Sequence, residues 1–276
     1  MTTSAFSERP SDFPQDPAGK PEMRPPSRLM WLAEYRALYE LGFSLATSPL
    51  LLQAPRGEGP VLVLPGFLAS DASTEPLRRY LKALGYDAHG WASGRNLGGV
   101  TRMRHQLRRR LNEIYERSGQ PVAIVGWSLG GIYARMLALD APELTRSVVT
   151  LGSPFSRDPN ASNVSRLYEV VSGEGRTVEE KMARALFAHA YDRIAGDLEV
   201  PATSIYSKLD GVVNWRACLV RENERAENIE VLGASHVGLG VNAAVLWAIA
   251  DRLAQRPGEF VRFQRGGPFA PAYGRP

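Results

Sequence analysis

Pro121-Val-Ala-Ile-Val-Gly-Trp-Ser-Leu-Gly-Gly-Ile-Tyr-Ala-Arg135 joins an apolar run to a glycine-rich turn and a helical pattern. The apolar run, Val122 to Val125, predicts a short buried strand, and the residues from Gly131 onward predict a helix. Between the two lies Gly126-Trp127-Ser128-Leu129-Gly130, a G-x-S-x-G sequence. In a strand-turn-helix setting this sequence is typical of a serine nucleophile held on a sharp turn.

The physical demands of such a turn explain the small residues on either side of the serine. A side chain at Gly126 or Gly130 would collide with neighbouring backbone, and the serine itself takes a strained conformation. The helix that follows directs its free N–H groups and the positive end of its dipole toward Ser128. An oxyanion that forms beside Ser128 would therefore be stabilised.

The composition is that of an ordinary globular protein. The chain has 276 residues, 44% of them hydrophobic, and a net charge of +4, which suits one large α/β domain. The single cysteine, Cys218, excludes an intramolecular disulfide and fits a reducing compartment. No basic stretch is interleaved with aromatic residues, so we expect no nucleic-acid partner. No secretory signal or apolar run of bilayer length is visible, so we expect a cytoplasmic protein.

The N-terminal region divides into an arm and a helix. Residues 1–27 are rich in Pro, Ser and charge, which predicts a disordered arm. Residues 28–48 place apolar side chains such as Trp31, Leu38 and Leu45 at helical spacing, which predicts an amphipathic helix with a broad apolar face. Packing on the domain is the main expectation for this helix. Lining the entrance for a substrate and contact with a membrane surface are the alternatives.

Strand and helix patterns alternate along residues 58–256, which we interpret as one domain. Predicted strands cover residues 60–64, 86–91, 122–125, 146–151, 200–207 and 227–232. Predicted helices cover residues 74–84, 100–117, 131–140 and 242–254, and the second carries an arginine-rich face that we expect to be solvated. The alternation predicts an α/β fold with a mostly parallel central sheet and helices on both faces. The tail, residues 257–276, is rich in Gly and Pro and is predicted to be irregular.

One segment, residues 156–198, interrupts this alternation. It begins with the polar run 156–166 and ends in a predicted helix over about 178–194. It follows a strand at the edge where such sheets bind ligands, so we interpret it as a small cap or lid over Ser128. A surface excursion without a catalytic role is the alternative.

A serine hydroxyl is a weak nucleophile and needs a neighbouring base, which a third group orients. Of the four histidines, His236 is the predicted base, because it lies in a glycine-flanked loop after the last strand. His89 and His105 precede the serine on a predicted strand and a predicted helix, and His189 lies within the insertion. A histidine that only stabilises its loop is the alternative for His236.

Asp210 is the predicted acid of this group. It lies between Ser128 and His236 in the chain, in a loop after a strand, and glycine follows it. Asp192 and Asp197 are weaker candidates because they belong to the insertion helix and its exit. In the predicted arrangement His236 takes the proton of Ser128, and Asp210 fixes the tautomer of the imidazole.

Two backbone N–H groups are predicted to bind the oxyanion. One is that of Leu129, the residue after the nucleophile, and the other is that of Phe67 in the loop after the strand 60–64, with Leu68 as second choice. Residues near these positions are also candidates for the walls of a substrate pocket. By position alone they are Phe67, Leu68, Trp127, Phe155, Val212 and Val237.

The motifs Leu64-Pro-Gly-Phe67, Gly126-Trp-Ser-Leu-Gly130, Asp210 and His236, in this order, resemble the α/β-hydrolase superfamily over most of residues 58–256. Three further segments resemble bacterial lipase-type esterases, namely Gly94-Arg-Asn-Leu-Gly98, Ser207-Lys-Leu-Asp-Gly-Val-Val213 and Ser235-His-Val-Gly-Leu-Gly240. Epoxide hydrolases and dehalogenases would carry aspartate at position 128. The resemblance implies hydrolysis of a carboxylic ester through an acyl-enzyme, without metal or cofactor.

Two positions bear further on the resemblance. Pro65-Gly66 stands where many lipases have His-Gly, which keeps the backbone donor but changes the support of its loop. Trp127 also occurs in the carrier-protein methyl esterases of biotin synthesis, although the other segments do not follow that family.

The predicted function is therefore an esterase or lipase that acts on a hydrophobic acyl ester through Ser128, His236 and Asp210. The expected partner is a small-molecule or lipid ester. An acyltransferase or a perhydrolase would use the same three residues, and transfer to an added alcohol would distinguish it. A non-enzymatic binding protein on a hydrolase fold is the alternative from another class.

Overall fold

The structure, a computed structural model, describes residues 24–155 and 193–275 of the chain. The strands are β1 (Pro60–Leu64), β2 (Asp87–Gly90), β3 (Val122–Trp127), β4 (Thr145–Leu151), β5 (Ala202–Tyr206) and β6 (Ala226–Glu230). They form one sheet in the order β2-β1-β3-β4-β5-β6, and all neighbouring pairs are parallel. The predicted α/β class with a parallel central sheet is confirmed.

Helices cover both faces of this sheet. They are α1 (Arg28–Leu32), α2 (Ala37–Ala46), α3 (Ser48–Leu51), α4 (Asp71–Ala83), α5 (Val100–Ser118), α6 (Leu129–Asp140) and α7 (Ala243–Leu253). Successive side chains of a strand point to opposite faces. Leu62 of β1 accordingly packs with α5 and α6, whereas its neighbour Val63 packs with α4 and α7. Strands buried on both faces are continuous apolar runs, which is why β1 and β3 are recognisable in the sequence.

Several elements begin at other residues than the pattern predicts. Helix α6 begins at Leu129 rather than Gly131, because close packing of the glycines in this turn outweighs their low helix propensity. Helix α4 begins at Asp71 rather than at the predicted Thr74. Pro76, which the prediction would place in the first turn, therefore lies inside the helix. Asn242 is the N-cap of α7, where its side chain accepts hydrogen bonds from two backbone N–H groups of the first turn.

The N-terminal helical segment, residues 28–51, packs on the domain with its polar side. The predicted single helix over residues 28–48 is divided into α1, a 3-10 turn (Ala33–Arg36), α2 and the start of α3. Glu34 and Ser44 are buried. Leu51 at the end of the segment is buried in the core, but eight large apolar side chains of the segment point outward, with exposed fractions between 52% and 77%. They are Leu29, Trp31, Leu32, Tyr35, Leu38, Tyr39, Phe43 and Leu45.

The expectation for this segment is thus corrected in one respect. The segment is helical, amphipathic and packed on the domain, but the apolar side is not the side that contacts the domain. The reason is chemical: the loops beneath the segment offer backbone N–H and C=O groups, which polar side chains can satisfy and apolar ones cannot.

The C-terminal tail is irregular, as predicted, apart from a 3-10 turn (Ala270–Ala272), and it contributes to the core. Phe263, Phe269 and Tyr273 are buried. The Tyr273 hydroxyl donates to the carbonyl of Ala244 on α7 (2.8 Å), and its backbone forms an antiparallel bridge with Val231 after β6. The tail therefore covers part of the edge that β6 would otherwise leave open.

Other expectations concern the surface and the insertion. On α5, Arg104 pairs with Asp140 and Arg108 with Glu143, so this arginine-rich face is a charged surface.

Within residues 24–155 and 193–275, every helix is too short or too polar to cross a membrane. Residues 1–23 of the predicted arm (residues 1–27) and residues 156–192 of the predicted cap (residues 156–198) lie outside the described residues.

Candidate active site

Ser128 occupies the turn between β3 and α6 in a strained backbone conformation. Its φ of 53° and ψ of −121° lie in a region that L-residues rarely adopt. A Cβ atom at Gly126 would overlap the carbonyl of Gly130, and one at Gly130 would overlap that of Leu64, so the turn requires both glycines. The Ser128 N–H donates to the carbonyl of Leu151 at the end of β4 (2.8 Å). The serine is thus fixed at the carboxyl edge of the sheet.

His236 and Asp210 form a buried pair, with 6% and 2% of their surfaces exposed. The distance between His236 Nδ1 and Asp210 Oδ2 is 2.6 Å. The other carboxylate oxygen of Asp210 accepts the N–H groups of Val212 (2.8 Å) and Val213 (2.7 Å). Because Nδ1 is committed to Asp210, Nε2 is the ring nitrogen that can exchange a proton with another group.

The surroundings of His236 act on its pKa in opposite directions. Burial has the largest influence and lowers the pKa, because it disfavours the charged imidazolium. The charge and the hydrogen bond of Asp210, together with the charge of Glu34, outweigh burial. The pKa of His236 is therefore raised above its usual value of 6.5, which makes its neutral form a stronger base.

Two contacts connect the turn of Ser128 with the His–Asp pair. The indole Nε1 of Trp127, the residue before the serine, donates to the carbonyl of His236 (3.0 Å). Gly152, at the end of β4, packs against both members of the pair. A Cβ atom placed on it would lie 3.0 Å from Asp210 Oδ2 and 3.1 Å from His236 Nδ1. The structure thus brings the three residues of the predicted triad to one edge of the sheet.

The loop after β1, residues 65–69, lies beside the serine, since a Cβ atom on Gly66 would be 3.2 Å from the Cβ atom of Ser128. The N–H of Leu68 donates to the carbonyl of Asn96 (2.7 Å). The N–H of Leu68, the second choice for the oxyanion donor, thus has an acceptor within the structure, and its role as an oxyanion donor stays a prediction.

Phe67 and Leu129, the first choices for the two donors, belong to the two elements that meet at Ser128. Leu129 is the first residue of α6, where a helix offers N–H groups that have no acceptor within the helix. Phe67 follows Gly66 in the loop. Their role as oxyanion donors stays a prediction.

Asn96 is a residue of the site that the sequence analysis missed. It is fully buried, and its Nδ2 donates to the carbonyl of Pro65 (2.9 Å). Its Oδ1 accepts the N–H of Gly98 (3.1 Å) and the hydroxyl of Tyr133 (3.2 Å). Asn96 therefore supports the loop that contains Pro65-Gly66. The motif Gly94-Arg-Asn-Leu-Gly98 was a signal for it, but the motif does not indicate which side chain points inward.

The other candidates for base and acid have contacts of their own. His89 pairs with a neighbouring aspartate on β2, and His105 is exposed on α5. Asp197 forms an ion pair with an arginine. His189 and Asp192 lie outside the described residues.

The predicted pocket residues differ in exposure. Leu68 and Val237 are exposed (40% and 48%), so a substrate can reach them from solvent. Phe155 and Val212 are buried, and an arginine guanidinium of α6 lies over the ring of Phe155, 4.8 Å from its centroid. Trp127 is partly buried and contacts the His236 loop. Whether any of them contacts a substrate stays a prediction.

Other features in the described ranges do not extend the site. A surface cleft is lined by residues at the start of β4 and before β5, including Arg146, Ser147 and Pro201. It lies at the amino end of these strands, opposite Ser128. Nowhere in residues 24–155 and 193–275 do three His, Cys, Asp or Glu side chains group as a metal site would require.

Solved structures with a similar fold include those of two lipases and of Est1E. The lipase B of Aspergillus fumigatus matches with a TM-score of 0.53 and 19% identity, over 74% of this chain and 54% of that chain. Est1E of Butyrivibrio proteoclasticus, with ferulic acid bound, matches with a TM-score of 0.54 and 9% identity, over 71% and 88%. The mature lipase BlEst2 of Bacillus licheniformis matches with a TM-score of 0.50 and 18% identity, over 71% and 92%. The chain thus spans about half the length of the Aspergillus lipase.

At the level of sequence, no family model matches the chain, and a search of curated proteins finds no match. The likeness is therefore one of architecture, a parallel sheet flanked by helices. On this architecture and these structural neighbours, the chain has the α/β-hydrolase fold.

Proposed function

We propose that the protein is a carboxylic ester hydrolase of the esterase or lipase type, with Ser128 as nucleophile, His236 as base and Asp210 as orienting acid. The observation that carries the proposal is the buried 2.6 Å contact between His236 and Asp210 at the edge where Ser128 occupies a strained turn. Strained backbone is costly and concentrates at active sites, which supports a chemical role for this serine. The lipases among the structural neighbours support the same reaction class.

In the proposed reaction the hydroxyl oxygen of Ser128 attacks the ester carbonyl carbon, and His236 Nε2 takes its proton. The N–H groups of Phe67 and Leu129 stabilise the oxyanion of the tetrahedral intermediate. The imidazolium then protonates the leaving alkoxide, the alcohol departs, and the acyl group stays on Ser128. Water, deprotonated by His236, attacks this acyl-enzyme, and the acid leaves as Ser128 regains its proton.

Asp210 has two tasks in this scheme. It accepts a hydrogen bond from the Nδ1–H of His236, which keeps Nε2 free to act as base, and its negative charge stabilises the imidazolium that forms. The N–H groups of Val212 and Val213 hold its second oxygen, so the carboxylate has little freedom to turn away from the imidazole.

We propose an apolar acyl ester as the substrate. Leu68 and Val237 present exposed apolar side chains next to the oxyanion loop and next to His236. Exposed apolar surface in a contiguous patch commonly marks a ligand or lipid contact.

The N-terminal segment favours contact with a lipid surface. Its helices pack on the loops of the site with their polar side, so their exposed apolar side faces outward close to the site. Acyl transfer to an alcohol or to peroxide proceeds from the same acyl-enzyme and stays the alternative.

Hydrolysis of p-nitrophenyl esters from acetate to palmitate tests the proposal. We expect Ser128→Ala to lower kcat by a factor of about a thousand or more, since the nucleophile is lost. Ser153→Ala is the matched control, because Ser153 is a buried serine after β4 whose hydroxyl bonds to the carbonyl of Leu151. A fluorophosphonate probe should label the wild type and Ser153→Ala, but not Ser128→Ala.

Three outcomes would argue against the proposal. Hydrolysis that survives in Ser128→Ala would remove the serine from the mechanism. A wild type that neither hydrolyses any ester nor reacts with the probe would favour a non-enzymatic binding protein. Labelling without hydrolysis, together with acyl transfer to an added alcohol, would favour an acyltransferase.

A further inference from the structure

A buried carboxylate of the N-terminal segment binds both loops that carry the His–Asp pair. Glu34 Oε1 accepts the N–H of Gly211 (2.8 Å), directly after Asp210, and the N–H of His236 itself (3.0 Å). Glu34 Oε2 accepts the N–H of Val237 (2.8 Å). The residue is 9% exposed. Three hydrogen bonds from two loops thus converge on one side chain.

This arrangement suits a carboxylate. Both oxygens of Glu34 accept backbone N–H groups, and hydrogen bonds to an ionised acceptor are stronger than those between neutral groups. The glycine after Asp210 makes the contact possible. A Cβ atom at Gly211 would overlap the carbonyl of Met30 and would lie 2.9 Å from Glu34 Oε1, so a larger residue would displace α1 from the loop.

Two neighbouring side chains of the segment hold the same loops at other points. Glu40 accepts the N–H (2.8 Å) and hydroxyl (2.5 Å) of Ser235 and the amide of Asn242 (2.7 Å). The guanidinium of Arg36 donates to the carbonyls of Leu209, Gly233 and Ala234. These contacts secure the surrounding backbone, whereas those of Glu34 reach the backbone of His236 and of the residue after Asp210.

We propose that Glu34 is a positioning residue, whose carboxylate fixes the Asp210 loop and the His236 loop relative to each other so that the imidazole faces Ser128. The inference rests on the proposed function of these three residues. A single oxygen atom of Glu34 bridges the two loops, so their spacing depends on it. A displacement of about 1 Å at a reacting group can cost about a hundredfold in rate.

Glu34 also places a negative charge near the imidazole. The other charged groups that face His236 or its loop are Asp210, Glu40 and Arg36. The charge of Glu34 contributes to the raised pKa of His236. His236 must be neutral to accept a proton, so activity falls as the pH drops through this pKa. We call this fall in activity on the acidic side of the pH profile the acid limb. Removal of the Glu34 charge lowers the pKa of His236 and therefore moves the acid limb to lower pH.

Two variants separate the position of the carboxylate from its charge. Glu34→Gln keeps the size of the side chain, removes the charge and replaces one acceptor with an NH₂ group that faces a backbone donor. Glu34→Asp keeps the charge, but the side chain is one methylene shorter and cannot reach both loops. Glu40→Gln is the matched control, because it makes the same change in the same segment at a carboxylate that contacts Ser235 instead of His236.

The measurement is kcat and KM for a p-nitrophenyl ester as a function of pH, on variants shown to be folded by circular dichroism. We expect Glu34→Gln to lower kcat about 10- to 100-fold, with KM within about threefold, and to move the acid limb to lower pH. Glu34→Asp should lower kcat and leave the acid limb near its wild-type position. Glu40→Gln should leave the acid limb in place.

Several results would overturn the inference. One is a folded Glu34→Gln variant whose kcat and whose acid limb are the same as those of the wild type. Another is a Glu40→Gln variant that reproduces both effects, because that would indicate general loosening of the loop. If Glu34→Gln does not fold, a wild-type kcat in Glu34→Asp overturns it.

An NMR titration of the His236 imidazole separates this inference from the proposed function. If the wild type hydrolyses no ester, the proposed function fails. In that case a lower His236 pKa in Glu34→Gln still supports the positioning of the pair by Glu34, and an unchanged pKa overturns it as well.

Discussion

Ser128 is held by residues next to it in the chain and by the adjacent strand, whereas the His–Asp pair is held from the other end of the sequence. The turn of Ser128 depends on Gly126 and Gly130, and its N–H bonds to β4. The loops of the pair depend on Glu34, which lies 177 residues before Gly211 and 203 residues before Val237.

The difference follows from the positions of the strands in the sheet. Strand β3, which leads to the serine, is paired on both sides, with β1 and β4. Strand β6, which leads to His236, is an edge strand with one neighbour. A loop after an edge strand has less surrounding structure to pack against, so an added element has to supply its contacts. We call the turn of Ser128 with the loop 65–69 the serine half, and the Asp210 and His236 loops the acid–base half. The N-terminal segment supplies contacts to the acid–base half, although only the His236 loop follows the edge strand.

The largest effect on the serine half is expected from Asn96→Ala. The change removes the hydrogen bonds of the Asn96 side chain to Pro65, Gly98 and Tyr133, and the oxyanion loop loses its fixed position. Loss of one oxyanion donor typically costs about a hundredfold in kcat. We therefore expect a fall of about that size with a smaller change in KM, measured with a p-nitrophenyl ester.

Asn112→Ala is the control, because it makes the same change at an asparagine in the second half of α5, outside the loop 65–69 and its contacts. An Asn96→Ala variant that keeps wild-type kcat would show that the loop is held without this side chain. The serine half would then depend only on the contacts of its own residues and of β4.

A smaller effect is expected from Arg36→Met in the acid–base half. The guanidinium binds carbonyl groups in both loops of the pair, at Leu209, Gly233 and Ala234. The contacts with Leu209 and Gly233 are exposed, so water can replace the guanidinium there. We expect a loss of about 1 kcal/mol in the free energy of unfolding, or a few degrees in Tm. We also expect kcat to fall less than in Glu34→Gln.

Arg79→Met is the control for this change, since Arg79 lies on α4, is 78% exposed and pairs with Glu75 at the surface. Equal Tm values and equal kcat values for the two arginine variants would contradict the view that the N-terminal segment stabilises the acid–base half.

This comparison also explains how far the sequence was informative. The fold class and the turn of Ser128 are predictable because both are local patterns: continuous apolar strands, and glycines where backbone touches backbone. Asp210 and His236 could be proposed from their place after predicted strands. Their contact with each other had to be inferred from chemistry, because 26 residues separate them.

The supporting residues could not be predicted in the same way. Trp31, Leu38 and Leu45 dominate the pattern of the N-terminal segment, and apolar periodicity normally marks the packed side. Here the packed side carries Glu34 and Glu40, whose partners are backbone groups of loops near the other end of the chain. Backbone groups look alike in every sequence, so nothing in the pattern identifies them as partners.

Trp127→Phe tests a side chain that connects the turn of Ser128 with the His236 loop, and its expected effect is the smallest. Phenylalanine keeps an aromatic ring near Gly240 but lacks the N–H that bonds to the carbonyl of His236. One neutral hydrogen bond contributes about 1 kcal/mol, so we expect kcat to fall about two- to fivefold. Trp247→Phe on α7, which packs on Phe269, is the matched control.

The double variant Trp127→Phe with Glu34→Gln decides whether the two supports of His236 act independently. If they do, the two losses in kcat multiply. If both act through the same displacement of the imidazole, the combined loss is smaller than the product, because the second change moves a side chain that has already moved. If Trp127→Phe changes kcat neither in the wild type nor in the Glu34→Gln background, the N-terminal segment is the support that matters for His236.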